Sequence, residues 1–153
     1  MNSNIKLALL GAISALTLPI AAHAQWWNQH PGYLHAMSDL RTAYALVTHH
    51  GPTDPAQANE EARAAGEIVA AYNELKHAAI DDGKNINDQP PADFAWGDHR
   101  SRLQRANELL VSANHDLRRE EENPAAVGLR ERAMAHIGAA SGWVTRAERV
   151  WHF

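Results

Sequence analysis

Cysteine is absent from all 153 residues of the chain. This absence excludes disulfide bonds, thiolate metal sites, covalent c-type haem attachment and cysteine nucleophiles. The chain also lacks a His-Glu-x-x-His pair, a glycine-rich phosphate loop and a Gly-x-Ser-x-Gly turn. These are the local signatures of zinc peptidases, nucleotide-binding enzymes and serine hydrolases. We therefore expect a protein that is not an enzyme.

Long hydrophobic runs are equally scarce, and the one that occurs covers residues 7–22. It follows Lys6 and runs into the small-x-small triplet "AHA" at 22–24, which is the order of a bacterial secretory signal peptide. A run this short, with a cleavage site at its end, is not typical of a membrane-spanning helix. We predict a signal peptide at 1–24, a single domain at 25–153, and a periplasmic or secreted location.

Basic residues are in the minority, with 14 lysines and arginines against 18 acidic residues and a net charge of −4 at pH 7. A nucleic-acid-binding domain normally carries the opposite balance, so we expect no nucleic-acid partner. After residue 24 no apolar stretch is long enough to span a bilayer, so we expect no membrane span in the mature protein. A protein of the cell envelope is a candidate partner, and the sequence does not indicate the oligomeric state.

Strand patterns are missing as well, because no segment alternates polar and apolar residues with a period of two. Four segments instead repeat apolar residues three and four positions apart, which predicts amphipathic helices. These segments begin near Tyr33, Pro55, Asp98 and Pro124. Helices of this length, joined by short connections, predict an all-α fold, an antiparallel up-down four-helix bundle.

Capping residues support these boundaries. Asp54 precedes Pro55 and Asn123 precedes Pro124, and an N-cap residue followed by proline is a favoured helix start. Gly83 is suited to end the second helix in the left-handed conformation. The longest connection, residues 83–97, follows the second helix. We expect its aromatic residues, Phe94 and Trp96, to pack over one end of the bundle.

Histidine is the one residue type in excess, with 10 in the chain. Acidic residues three or four positions from a histidine occur about as often as chance predicts for this composition, so spacing alone identifies no site. The single Glu-x-x-His pair, Glu74 and His77, is half of what a di-iron bundle requires. A metal site must therefore be built between helices rather than along one helix.

The candidate metal ligands are His35 and Asp39 on the first helix and His115 and Asp116 on the third. Both histidines lie off the leucine stripes of their helices, so they can meet if these helices flank a shared groove. Imidazole and carboxylate groups suit Cu²⁺, Zn²⁺ or Ni²⁺. We expect a non-enzymatic metal binder with Cu²⁺ or Zn²⁺ as its cofactor. His136, in contrast, falls on the apolar stripe of the fourth helix and is expected to be largely buried.

The alternative is a structural or interaction protein of the cell envelope, with neither a metal nor a catalytic site. Aromatic residues near both ends of the mature chain would then contact the partner protein. These residues are Trp26, Trp27, Trp151 and Phe153.

Three stretches together resemble a group of small exported bacterial proteins: "HPGYLHAMSDLRTA" at 30–43, "KHAAIDDGKNIND" at 76–88 and "ANHDLRREEENPAAVGLRERAMAHI" at 113–137. The pattern of that group includes histidines at the positions of His35, His115 and His136. The resemblance implies an exported helical protein and implies no activity. More loosely, the chain is similar to the small periplasmic metal-binding protein of nitrifying bacteria, a four-helix bundle with denser histidines.

Overall fold

The computed structural model of the chain describes residues 32–49, 54–92, 97–119, 124 and 126–150. Across these residues it contains four α-helices and no strand, namely α1 (Gly32–Thr48), α2 (Pro55–Asp81), α3 (His99–Arg119) and α4 (Val127–Val150). The predicted all-α four-helix bundle is confirmed. None of these four helices is both long and apolar enough to cross a membrane. The predicted signal peptide and the four terminal aromatic residues lie outside the described residues.

The start and the end of α2 follow the predicted signals. The side chain of Asp54 accepts a hydrogen bond from the backbone N–H of Ala56 at 2.8 Å, and Pro55 is the first helical residue. After the last turn Gly83 has a φ of 69°, a left-handed conformation that glycine adopts without a steric penalty. Its backbone N–H donates to the carbonyl oxygen of Ile80 at 2.9 Å, which closes the end of the helix.

The predicted start of α4 at Pro124 is wrong by three residues, because the helix begins at Val127. Pro124 and Ala126 lie in turns. The backbone N–H of Arg130 donates to the carbonyl oxygen of Ala126 at 2.9 Å, and this bond opens the helical ladder. Asn123, the expected cap, lies outside the described residues.

Each helix packs against two others, and the order around the bundle is α1, α2, α4, α3. Between α2 and α4, Glu74 bonds Arg132 while Arg63 lies over the ring of Trp143. Residue numbers therefore rise along α2 as they fall along α4, so these two helices are antiparallel. Because α2 and α3 are not neighbours in this order, they occupy diagonal positions.

The connection 82–98 returns the chain to the end of the bundle at which α2 begins. His99, the first residue of α3, contacts Glu61 near the start of α2, so α2 and α3 run in the same direction. The predicted up-down alternation of consecutive helices is therefore wrong between α2 and α3. Since α2 has 27 residues, it is about 40 Å long, a distance that an extended connection of this length can cover. On its way the connection lies against α1, where the hydroxyl of Ser38 donates to the carbonyl oxygen of Pro90 at 2.9 Å. The aromatic residues at 94 and 96, expected over one end of the bundle, lie outside the described residues.

The core between the helices is rich in alanine, which supplies 12 of its 25 buried hydrophobic residues. Small side chains allow the helix axes to approach closely, and larger residues then fill the space between the layers. The largest buried apolar side chains include Tyr33, Met37, Leu75, Leu110 and Ile137. Burying one such side chain stabilises the fold by about 1.5–3 kcal/mol, so this core holds the bundle together.

His136 is not largely buried, and the prediction for it is wrong. Its side chain is 36% exposed, and its Nδ1 lies 2.7 Å from Oε2 of Glu67 on α2. The buried stripe of α4 instead includes Ala133, Ile137 and Ala140. Because consecutive helical residues differ by about 100° in direction, Ile137 in the core turns His136 to the edge of the α2–α4 interface.

Candidate functional site

A groove between α1 and α3 contains three of the four predicted metal ligands. His35 and Asp39 line it from α1, and Asp116 lines it from α3. The groove has a volume of about 290 Å³, and Pro90 and Pro91 of the long connection border it. The two helices therefore flank a shared groove, as the predicted site requires. We refer to it as the α1–α3 groove.

If α1 packed against only one other helix, residues opposite its leucine stripe would be exposed. His35 and Asp39 are instead both half-buried. The reason is that α1 is covered on three sides, because it packs against α2 and α3 and also carries the long connection at Ser38. Only the tertiary arrangement creates this third contact.

Burial in the groove raises the pKa of Asp39 above its ordinary value. A hydrogen bond with the side chain of Ser112 lowers this pKa, whereas repulsion from the Asp116 carboxylate raises it further. The charges of His35 and Arg105 act in the lowering direction but are smaller effects. The groove therefore contains a carboxylate that is costly to ionise, and a bound cation or a proton would stabilise it.

His115 lies outside this groove although its neighbour Asp116 lies within it. The side chain of His115 is 64% exposed and borders a depression between α3 and α4. Ala113 and Leu117 face the core, and this orientation turns Asp116 towards α1 and His115 to the side opposite the core. The structure thus corrects the expectation that His115 meets His35.

No three histidine or acidic side chains in the described ranges are arranged to hold a metal ion. His77 is exposed on α2, and His136 is paired with Glu67. The α1–α3 groove therefore brings donor groups together without a formed coordination shell.

A second group of polar side chains is buried at the end of the bundle where α2 and α3 begin. Gln57 and Glu61 are each 1% exposed, and Arg102 is 8% exposed. His99 lies between them, with its Nε2 2.5 Å from Oε1 of Glu61 and its Nδ1 3.2 Å from the guanidinium of Arg102. We call these four residues the His99 cluster. Its enclosure leaves little access for a substrate, so the arrangement indicates a structural role.

The hydrogen-bond partners determine which nitrogen of His99 carries a proton. Arg102 can only donate, so Nδ1 of His99 accepts and is unprotonated. Nε2 therefore donates a hydrogen bond to Oε1 of Glu61, and it also lies 2.9 Å from the side-chain amide of Gln57. The imidazole of His99 thus connects the buried carboxyl group of Glu61 to the guanidinium of Arg102.

A sequence pattern predicts this cluster, but it differs from the spacing of metal ligands along a helix. The apolar stripe of α2 that includes Ile68 continues at Glu61 and Gln57, seven and eleven positions earlier. On α3, His99 lies four positions before the buried Leu103. Polar residues at stripe positions near a helix start predict buried hydrogen-bond partners rather than solvated side chains.

A third surface feature is an apolar groove between α1 and α2. It is lined by Leu40, Arg41, Tyr44, Ile68, Val69 and Tyr72. Tyr44 is 41% exposed and Val69 is 45% exposed, which is high for large hydrophobic residues on two packed helices. Apolar side chains of α1 and α2 are therefore exposed to solvent along this groove.

No protein-family model, curated protein or solved structure matches this chain.

Proposed function

We propose that the chain is an exported, non-enzymatic four-helix-bundle protein that binds Cu²⁺ or Zn²⁺ in the α1–α3 groove. The observation that carries this proposal is the presence of His35, Asp39 and Asp116 in one groove. Imidazole and carboxylate groups are protein ligands of both metals. Export is supported by the residue order at 1–24 and by the resemblance to small exported bacterial proteins.

The charge of the groove supports a cation as the ligand. Two carboxylates face it, and their mutual repulsion contributes to the raised pKa of Asp39. A divalent ion bound between Asp39 and Asp116 would replace this repulsion by attraction. Arg105 also lines the groove and is paired with Glu108 at 3.0 Å, so two carboxylates face one guanidinium there.

Binding requires side-chain rotation, because the described residues contain no ready set of three ligands. Asp39 would exchange its hydrogen bond with Ser112 for the metal, and Asp116 and His35 would turn towards it. Such rotations need no movement of the helices, and for accessible side chains they are fast.

Isothermal titration calorimetry with Cu²⁺ and Zn²⁺ tests the metal site. We expect a Kd below about 10 μM for Cu²⁺ and weaker binding of Zn²⁺, in the usual affinity order. His35→Ala should weaken binding at least about tenfold, a loss of about 1.4 kcal/mol. His115→Ala removes an imidazole from the other side of α3 and serves as the matched control, which should bind as the parent does.

Two results would contradict the metal site. One is a Kd above about 10 μM for both metals. The other is unchanged binding by His35→Ala, since the α1–α3 groove has no second imidazole. As a further readout, affinity should fall on acidification, because histidine must be unprotonated to bind a metal.

Export has its own test, which does not depend on the metal. Mass spectrometry of the protein from its native cells should find Gln25 as the first residue, because the predicted cleavage follows "AHA" at 22–24. A mature pool that retains Met1 would contradict this part of the proposal.

The apolar groove between α1 and α2 favours a second candidate function, an interaction protein of the cell envelope. Its exposed Tyr44 and Val69 would contact the partner protein. Crosslinking in intact cells from a photoreactive residue at position 69 tests this alternative, with position 111 on α3 as the control. A single crosslinked partner at 69, absent at 111, is the expected result, and no difference between them would refute it.

A further inference from the structure

Two arginines from different helices lie over the same tryptophan ring. The guanidinium carbon of Arg63 on α2 is 4.7 Å from the ring centroid of Trp143, and that of Arg146 on α4 is 4.3 Å from it. The two guanidinium carbons are therefore at most about 9 Å apart. Trp143 itself is half-buried and packs against the hydrophobic core, so the ring is a fixed platform. We call these three residues the Arg–Trp clamp.

Neither arginine of the clamp is ion-paired within the part of the chain that the structure describes. Both are exposed. Arg132, farther along α4, differs because it forms a two-pronged pair with Glu74 at 2.9 and 3.0 Å. Stacking on an aromatic ring uses the face of a guanidinium and leaves its edge N–H groups free to donate. The clamp therefore presents two sets of unused donors and two positive charges in one place.

We propose that the Arg–Trp clamp is a binding site for a phosphate group. Two like charges held on one ring repel, and an anion that bonds the solvent-facing edges of both guanidinium groups reduces that repulsion. A phosphate has more acceptor oxygens than a carboxylate, so it can accept bonds from the forks of Arg63 and Arg146 at the same time with less crowding. The donor arrangement therefore favours phosphate over carboxylate. The source of the phosphate is either a free ion or a lipid headgroup.

The surroundings of the clamp leave room for such a ligand. A Cβ atom added to Gly66 on α2 or to Gly142 on α4, both within three residues of clamp residues, would meet no atom within 4 Å. Two carboxylates on the same helices, Glu60 and Glu148, form no ion pair with either guanidinium, while Glu67 is paired with His136. The site also lies on α2 and α4, away from the α1–α3 groove, so it is independent of metal binding.

Two probes test the clamp and distinguish the two sources. Inorganic phosphate is titrated into the protein while the arginine Nε–H signals are followed by NMR, with ionic strength held constant by sodium chloride. Vesicles of phosphatidylcholine with and without phosphatidylglycerol are tested by co-sedimentation. The clamp variant is R63Q/R146Q, and the matched control is R118Q/R119Q, which removes two exposed arginines from α3 and changes the net charge equally. Circular dichroism verifies that the exposed substitutions leave the helices intact.

We expect at least tenfold weaker binding in R63Q/R146Q and unchanged binding in R118Q/R119Q. A response to inorganic phosphate identifies a free phosphate as the source, and a response to phosphatidylglycerol vesicles alone identifies the lipid headgroup. R63K/R146K keeps both charges but loses the forks, and it should bind several-fold more weakly than the parent. Failure of both probes to bind, or equal weakening in the two glutamine variants, would overturn the proposal.

Discussion

Replacement of His99 by alanine tests the buried cluster most directly. His99 donates to Glu61, which is 1% exposed, and accepts from Arg102, which is 8% exposed. Removing the imidazole takes a hydrogen-bond donor away from a buried carboxylate, and the loss of a hydrogen bond to a charged group lowers the free energy of unfolding by about 1.5–3 kcal/mol. Domains of this size are stable by about 5–15 kcal/mol, so the expected loss is a large fraction of the total. Urea denaturation followed by circular dichroism measures it.

Matched variants separate this cause from the loss of side-chain volume. Glu61→Gln removes the buried charge but keeps an oxygen that accepts from Nε2 of His99, so its expected loss is at most about 1.5 kcal/mol. The double variant of His99→Ala with Glu61→Gln should be more stable than His99→Ala alone, because no buried carboxylate remains. His77→Ala, at an exposed position, should change stability by no more than about 0.5 kcal/mol. A loss below about 1 kcal/mol for His99→Ala, or strictly additive effects in the double variant, would contradict a stabilising contact between His99 and Glu61.

Two further predictions concern helix propensity and the groove. Gly66→Ala and Gly138→Ala should each raise the free energy of unfolding by about 0.5–1 kcal/mol, because alanine favours a helix more than glycine does. A Cβ at either helical position meets no atom within 4 Å, so the substitution causes no clash. A decrease in the urea midpoint would contradict this prediction. The folded state raises the pKa of Asp39, so its stabilising contribution is complete below the unfolded pKa of about 3.9 and is lost as the pH rises through the folded value. Asp39→Asn should therefore raise the urea midpoint at pH 7 and have little effect near pH 4, and the opposite order would contradict the assignment.

Local signals in the sequence predicted the helices well, because helix formation depends on neighbours within a few residues. The Asp54 cap and the left-handed Gly83 need nothing beyond their own turns. The fourth helix shows the limit of such signals, since Pro124 is a suitable first residue but the chain makes another turn before Val127. A proline permits a helix start without requiring one.

The candidate site was predictable only in part, for a geometrical reason. Periodicity defines the angle of a side chain relative to the core of its own helix, and it does not define which other helix lies beside it. His115 and Asp116 are consecutive, yet Asp116 lines the α1–α3 groove and His115 is exposed on the other side. The choice between them depends on where α1 packs against α3.

Composition and contacts within a few residues are enough to predict the fold class, the ends of α2 and the absence of thiol chemistry. The order α1, α2, α4, α3 around the bundle depends instead on how the helices pack against one another. That order brings His99 to Glu61 and Arg63 to Trp143. These pairs are separated by many residues along the chain, so they exist only after the long connection has returned α3 to the end at which α2 begins.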